Sequence, residues 1–304
     1  MMRIFVTGAT GYLGYHFVCA ALAQGHKVLC LRRPMSVSLF DSALETQIQW
    51  VNNENETLLR EKVEAFRPEV LFHAAWGGVR GSGRTDEMIQ RDNISMSRII
   101  FSLYPYKQII ALGSQAEYGF YNGPVSENEK LNPENWYGKA KVQTSIDLRT
   151  YCEKHDIEWQ WIRIFTVFGE KQTGGFIKLV TEKCLNGDKE FDTTDGEQKY
   201  SFLYTSDFAQ AVCNVLGVTG KSGIYNLSQP DDVYSNREIL HKIKTVLHSD
   251  IHFNFGAIPY QKNQVMYMDG DISRFESAFG SIPRTAFDEA LARTVESIKT
   301  NFKK

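Results

Sequence analysis

Tyr137 and Lys141 stand four residues apart in the run WYGKAK, which on a helix places a phenol and an ammonium on one face. A phenol with an ordinary pKa of about 10 exchanges protons poorly near neutrality, but a neighbouring cation favours phenolate and pulls that value down. The pair could therefore pass a proton to or from a hydroxyl or a ketone oxygen. Alone on a helix it would be an ordinary solvated pair, so its meaning rests on its company. Ser114 follows the apolar run Gln108 to Leu112 inside GSQAEYG, and a hydroxyl at the carboxyl end of a strand is placed to meet a substrate oxygen. Gly8, Gly11 and Gly14 in TGATGYLG offer chemistry of another kind. Glycines between a first strand and a first helix aim the helix's unpaired N–H groups at a ligand and let a pyrophosphate approach the backbone. The GxxGxxG spacing differs from the GxGxxG dehydrogenase fingerprint but has the same strand–turn–helix setting. A dinucleotide is the expected ligand of Gly8, Thr10, Gly11, Tyr12, Leu13 and Gly14.

The elements that must hold these residues follow from periodicity. Ile4 to Val6 predicts a buried strand, Tyr12 to Gln24 a helix and Lys27 to Arg32 a second strand that ends at Arg32-Arg33-Pro34. An acidic residue at that strand end would suit an adenosine 2′-hydroxyl, whereas Arg32, with Arg33 beside it, suits a 2′-phosphate. NADP(H) is thus favoured, with NAD(H) the alternative. Residues 35 to 46 read as a polar connection and Gln47 to Val51 as a weak third strand, with no clear acidic residue in Asn52-Asn53-Glu54. A helix over Asn55 to Phe66 stops at Pro68, and the strand Val70 to His73 ends in Ala74-Ala75, small residues that let a dinucleotide lie across the sheet edge. Trp76 to Gly83 has neither period and reads as a mobile loop near that edge, before a helix from Asp86 to Leu103.

The strand after Asp156, Glu158 to Phe165, contains Ile164. Strict alternation then lapses: a helix near Phe176 to Leu185, short strands near Glu190 and over Tyr200 to Tyr204, and a helix from Asp207 to Leu216 with the TSD triplet offering caps. Gly223 to Leu227 reads as a strand returning to the main sheet, followed by helices at Asn236 to Leu247 and Phe287 to Asn301 and a strand at Ile251 to Phe255. The expected fold class is α/β, a doubly wound parallel sheet with a smaller interleaved α/β part at the C-terminal end. Residues 1–169 are read as a dinucleotide-binding domain, with 200–230 returning to it, and 170–304 mainly as a substrate domain.

At 304 residues, 42% hydrophobic, 23% charged and a net charge of −2, the chain is long enough for a sizeable core and carries no basic bias toward nucleic acid or anionic membrane. The first strand opens at residue 3, leaving no room for a signal peptide, and no apolar run reaches membrane-spanning length, so a cytoplasmic protein is expected. Its five cysteines are scattered without CxxC spacing and read as structural thiols. His248 and His252 are four apart, but Asp250 and the β-like IHFNF interrupt a helix there, so no metal site is expected.

Taken in order, TGATGYLG, HAA, the strand-end Ser114, YGKAK and RIFTVFG, with a tail containing GIYNL, Asp271-Ile272-Ser273-Arg274 and Phe279-Gly280, resemble the extended short-chain dehydrogenase/reductases that act on nucleotide sugars. The resemblance covers nearly the whole chain and implies a Rossmann-like cofactor domain facing a nucleotide-sugar-binding region across a cleft. It implies that Tyr137 exchanges the proton of a sugar hydroxyl or ketone, that Lys141 tunes it and holds the nicotinamide ribose, and that Ser114 orients the reacting oxygen. It also implies Ile164 beside the cofactor, and Trp76, Gln115, Thr166, Lys199 and Tyr200 beside the sugar nucleotide. Family dehydratases carry an Asp-Glu pair where this chain has Gln115 and Ala116, which argues against dehydration. Family 4-epimerases hold NAD and carry an acid at the Arg32 position. Thr166 replaces a common asparagine, and Tyr200 stands where many relatives have an arginine for the diphosphate, with Lys199 adjacent. The expected activity is NADPH-dependent reduction of a keto group, at C4, of a nucleotide-linked deoxy sugar. The alternatives are a nucleotide-sugar 4-epimerase with tightly bound NAD and a non-catalytic dinucleotide sensor. Many relatives dimerise through the helices flanking the active site, so a homodimer is the implied assembly.

Overall fold

Strand β1 (Arg3–Thr7) is apolar from Ile4 to Val6 and buried on both faces, as a strand between two parallel neighbours must be. It runs through Gly8 into α1 (Tyr12–Ala23), followed by β2 (Lys27–Arg32), the one-turn α2 (Ser42–Glu45), β3 (Gln49–Asn52), α3 (Glu56–Phe66), β4 (Val70–His73), α4 (Glu87–Phe101) and β5 (Gln108–Ser114). Next come β6 (Gly123–Val125), α5 (Trp136–His155), β7 (Glu158–Ile164), β8 (Thr166–Phe168), α6 (Phe176–Leu185), β9 (Glu190–Thr193), β10 (Lys199–Tyr204) and α7 (Thr205–Cys213). The chain continues with β11 (Gly223–Leu227), β12 (Val233–Ser235), α8 (Asn236–Leu247), β13 (His252–Phe255), β14 (Tyr267–Gly270), α9 (Ser273–Phe279) and α10 (Phe287–Phe302). The computed structural model describes residues 1–53 and 55–302. Glu54, the last residue of the run searched for an acid after β3, lies outside the described residues.

Seven strands form one parallel sheet in the order β11-β7-β5-β4-β1-β2-β3, the Rossmann-like arrangement expected. Strand alternation divides its core between two faces. Ile4 and Val6 point with Phe17, Phe208 and Phe275 into one cluster, while Phe5 points with Val63, Phe101 and Leu148 into the other. Chain order reverses between β1 and β4, and at such a switch point the carboxyl ends of a doubly wound sheet open a crevice for ligand. Strand β11 returns to this sheet beside β7, with Leu227 opposite Ile164. A second sheet, β12-β10-β14-β6 with β8 alongside β10, is covered by α6, α8 and α10 through Ile177, Ile239 and Leu291. Among the described residues no helix is long and apolar enough to cross a membrane.

Two local expectations are corrected. The Trp76–Gly83 segment is tied down rather than loose. The Gln90 side chain donates to Gly83 O at 2.8 Å and Gly78 O at 3.1 Å, and Asn93 exchanges hydrogen bonds with both backbone groups of Gly77. These two buried amides on α4 supply what the segment's own sequence lacks. Helix α7 begins at Thr205 with no side-chain cap, two residues earlier than the TSD reading. Asp207 is buried and accepts instead from Thr285 N at 2.7 Å and Thr285 Oγ1 at 2.8 Å.

Candidate active site

Between the carboxyl ends of β1, β2 and β4 lies a cleft of about 440 Å³ lined by Gly8, Thr10, Gly11, Arg32, Arg33, Ala74, Ala75 and Trp76 among others. Its floor tolerates only glycine. Gly8 has φ of 81°, and a Cβ there would stand 2.6 Å from Ala75 N; a Cβ on Gly14 would stand 2.1 Å from Gly8 O. Gly11 opens α1 without a side-chain cap, so the first-turn N–H groups at Tyr12, Leu13 and Gly14 are available to an anion. Their side chains do not line the cleft. The Tyr12 ring meets His16 edge-on at 5.5 Å, and its hydroxyl is buried beside Thr205 with no hydrogen-bond partner among the described residues. A glycine-rich loop at a helix N-terminus fits the pyrophosphate of a dinucleotide. The opposite wall is fixed by a relay absent from the sequence reading: His73 Nδ1 bonds Thr7 Oγ1 at 2.8 Å, His73 Nε2 bonds Ser97 Oγ at 3.0 Å, and Ala75 N donates to Thr7 Oγ1 at 3.3 Å. Burial lowers His73 to about 3, so this imidazole stays neutral and serves as a hydrogen-bonding strut.

Ser114 ends β5 in register with Ile164 of β7, so both expected contacts lie at one sheet edge. Helix α5 starts where Asn135 Oδ1 accepts from Gly138 N at 3.0 Å. Gly138 explains part of the YGKAK pattern, since a Cβ there would lie 2.5 Å from Ala116 O. That close approach of α5 to the turn after Ser114 brings Tyr137 beside Ser114. Burial pushes Tyr137 upward, and the Ser114 hydroxyl and the Arg84 guanidinium oppose that rise. Of the two cations near the phenol, Arg84 stands closer to the ring, its guanidinium carbon 4.4 Å from the centroid. Lys141 Nζ donates to Leu112 O at 2.8 Å and sits 3.4 Å from the Trp76 ring centroid, whereas it is 5.9 Å from that of Tyr137.

Lys141 is only 5% exposed, and burial lowers it to about 7, with Glu117 opposing. A lysine depressed on folding binds fewer protons folded than unfolded between that value and its ordinary one, so this ammonium weakens the fold at low pH and the penalty fades as pH rises through the window. The expected result is that the unfolding free energy from urea titrations of the protein without added dinucleotide climbs from pH 7 toward 9 by up to about 1.4 kcal/mol per unit from this group. Lys141→Met should remove that climb and raise stability at pH 7 while abolishing turnover. Parallel pH dependences for the two proteins would contradict the assignment.

On the other side of Tyr137 a second cleft, about 250 Å³, is lined by Arg84, Gln115, Ala116, Asn135, Tyr200 and Gln264 among others. Gln115 and Tyr200 both line it, and Gln115 Oε1 is buried with no hydrogen-bond partner among the described residues. Trp76 stands edge-on to Tyr137 with centroids 6.3 Å apart. Thr166 opens β8 opposite Phe202 of β10. Lys199 is not brought to the cleft: successive strand residues point to opposite faces, and with Tyr200 inward Lys199 is exposed near Glu238. The residues missed by the sequence reading are Arg84, Glu117 and Arg163. Glu117 had a signal, because Ser114-x-x-Glu117 is a capping box; its carboxylate accepts from Ser114 N at 2.8 Å, Trp161 Nε1 at 2.9 Å and Arg163 Nε at 2.8 Å.

With this geometry in place, three comparisons bear on it. The sequence pattern of the NAD dependent epimerase/dehydratase family matches residues 4–228. The chain is 26% identical to the dTDP-6-deoxy-L-talose 4-dehydrogenase (NAD(+)) of Aggregatibacter actinomycetemcomitans, over 74% of this chain and 83% of that protein. It is 26% identical to a UDP-glucose 4-epimerase of Lactobacillus helveticus, over 84% of each. In fold it resembles the UDP-N-acetylglucosamine 4-epimerase of Methanobrevibacter ruminantium solved with UDP-N-acetylmuramic acid, at 23% identity, a TM-score of 0.87 and 99% coverage of both chains.

Proposed function

This chain belongs to the NAD dependent epimerase/dehydratase family, and on that premise we propose that it is an NADPH-dependent oxidoreductase that reduces the C4 keto group of a nucleotide-linked deoxy sugar, with Tyr137 as proton donor. The observation that carries the reading is the meeting of Ser114, Tyr137 and Lys141 at the sheet edge, between a glycine-floored cleft that ends at Arg32 and a second, polar cleft. A nicotinamide held in the first cleft would supply the hydride. The protein's share is geometry and proton chemistry. Ser114 donates to the carbonyl oxygen, Tyr137 delivers the proton that completes the alcohol, and Lys141 leaves Leu112 O for the cofactor's ribose. Gly8, Gly11, Ala74 and Ala75 admit the cofactor closely, Ile164 packs beside it, and Trp76, Gln115, Thr166 and Tyr200 bound the sugar nucleotide. Residues 1–169 with β11 hold the cofactor, and most of the remainder holds the sugar nucleotide. The enzyme acts in the cytoplasm as a homodimer through α4 and α5, whose outer groove of about 570 Å³ includes Ile94, Arg98, Trp136 and Gln143. Light scattering should give twice the 34.7 kDa chain mass.

The preference for NADPH rests on Arg32. Its guanidinium lies 5.2 Å from the Trp50 ring and 4.0 Å from a Glu45 carboxylate oxygen, and its Nε donates to Asn52 Oδ1 at 3.3 Å, contacts that charge-assisted bonds to a 2′-phosphate would have to replace. Arg32→Asp should shift the NADPH-to-NADH affinity ratio at least about tenfold toward NADH, since a hydrogen bond to a charged group contributes about 1.5–3 kcal/mol. An unchanged ratio in fluorescence titrations would sink the 2′-phosphate argument. The rival reading is a nucleotide-sugar 4-epimerase with resident NAD, favoured by the 26% identity to a UDP-glucose 4-epimerase. Denaturing the purified protein and identifying any released dinucleotide separates the two. An empty site that prefers NADPH supports the reductase, and retained NAD supports the epimerase. Binding of neither cofactor, by release or titration, would overturn the dinucleotide reading altogether.

A further inference from the structure

We propose that Arg84 is a substrate-binding residue that takes an anionic oxygen of the sugar nucleotide, a phosphate or a carboxylate, directly above the catalytic phenol. The inference rests on the second cleft being the sugar-nucleotide site. Arg84 closes the 3₁₀ turn Gly81–Arg84 between β4 and α4, and that turn is held by the bond from Gln90 to Gly83 O. Its guanidinium lies 4.4 Å from the Tyr137 ring centroid and is half-buried. Of its five N–H donors, one is engaged, weakly, by Val79 O at 3.4 Å. Among the described residues no carboxylate pairs with it.

The cleft it faces gives that uncommitted charge a purpose. Arg84 is the one cation and Glu134 the one carboxylate among the residues lining it, and Gln115, Asn135, Tyr200, Gln261, Asn263 and Gln264 contribute neutral polar groups; no ion pair joins Arg84 to Glu134 among the described residues. Nucleotide sugars bring at least two negative charges, and burying them needs a partner. Tyr200 holds the position where a cation was sought, and Lys199 faces the opposite side of β10, so the strand expected to neutralise the diphosphate does not. A guanidinium matches phosphate and carboxylate equally well through its planar fork. Either source meets the same residue.

The test uses protein saturated with NADPH, the variants Arg84→Gln and Arg84→Lys, and calorimetric titration with UDP, CDP, dTDP, UDP-glucose and UDP-glucuronate. Whichever nucleoside diphosphate the unaltered protein binds, the proposal expects Arg84→Gln to weaken an anion contact about ten- to hundredfold, with partial recovery in Arg84→Lys and an unchanged NADPH affinity that certifies the fold. Weaker binding of the free nucleoside diphosphate assigns the contact to phosphate. Unchanged binding of UDP with a lost preference for UDP-glucuronate over UDP-glucose assigns it to a sugar carboxylate. If Arg84→Gln binds every probe as the unaltered protein does, Arg84 has no such role. If the unaltered protein itself binds none of the probes, the sugar-nucleotide reading falls, and this inference with it.

Discussion

Tyr137→Phe should lower turnover by about 10²–10⁴, the contribution typical of a positioned acid or base, while NADPH affinity stays within about twofold of the unaltered protein because no cofactor contact is assigned to the phenol oxygen. Phenylalanine keeps the ring that Trp76 meets edge-on and that Arg84 covers, so the change is confined to one hydroxyl. That hydroxyl faces Ser114 and lies in a buried setting that raises its pKa. The sign matters for direction of use. A raised pKa keeps the phenol protonated and ready to donate, which suits reduction; alcohol oxidation needs phenolate and should speed up as pH rises. Stopped-flow reduction of a keto sugar nucleotide would measure the loss. A Phe variant turning over at the original rate would remove Tyr137 from the mechanism and return the site to a binding role. Ser114→Ala, which leaves the phenol in place, should cost less.

How legible the site was depends on what each residue answers to. The glycine-floored cleft was readable because Gly8 and Gly14 have no side-chain alternative: a Cβ at either would strike backbone. Tyr137, Lys141 and Ser114 were readable because helix spacing and a strand end fix where they point. Arg84 was not, since a 3₁₀ turn between glycines has no period and its position comes from Gln90 on another element. Lys199 was misplaced for the opposite reason. Its strand was expected, but the strand reading began at Tyr200, and only pairing within the second sheet decides which face of β10 looks inward. Strands β6, β8 and β12 are three residues long and β14 four, too short for alternation to register, yet with β10 they build the second sheet, which reaches the cleft through Tyr200 and Met268. The parallel sheet was legible because β1, β2, β4 and β5 carry continuous apolar runs flanked by helix patterns.

Glu117→Ala should destabilise the fold by about 3–5 kcal/mol, the cost typical of leaving one member of a buried ion pair unpaired. Glu117 is 0% exposed and Arg163 1%, and neither can reach water without rearranging the sheet edge. Arg163 Nη1 also donates to Tyr118 Oη at 3.0 Å, and Tyr118 in turn donates to Asn226 Oδ1 at 2.6 Å, so the pair ties β5, β7 and β11 together under the active site. The double variant Glu117→Leu with Arg163→Met should recover most of that loss, because removing both charges also removes their desolvation cost. It should not recover turnover. The Glu117 carboxylate accepts from Ser114 N and its backbone encloses the turn onto which α5 packs; without it Ser114 loses its fixed orientation toward Tyr137. The expected pattern is a urea midpoint near that of the unaltered protein combined with a lowered kcat and a nearly unchanged KM. Full activity in the stable double variant would show that the buried pair serves the fold alone, and equal midpoints for Glu117→Ala and the unaltered protein would show that it serves neither.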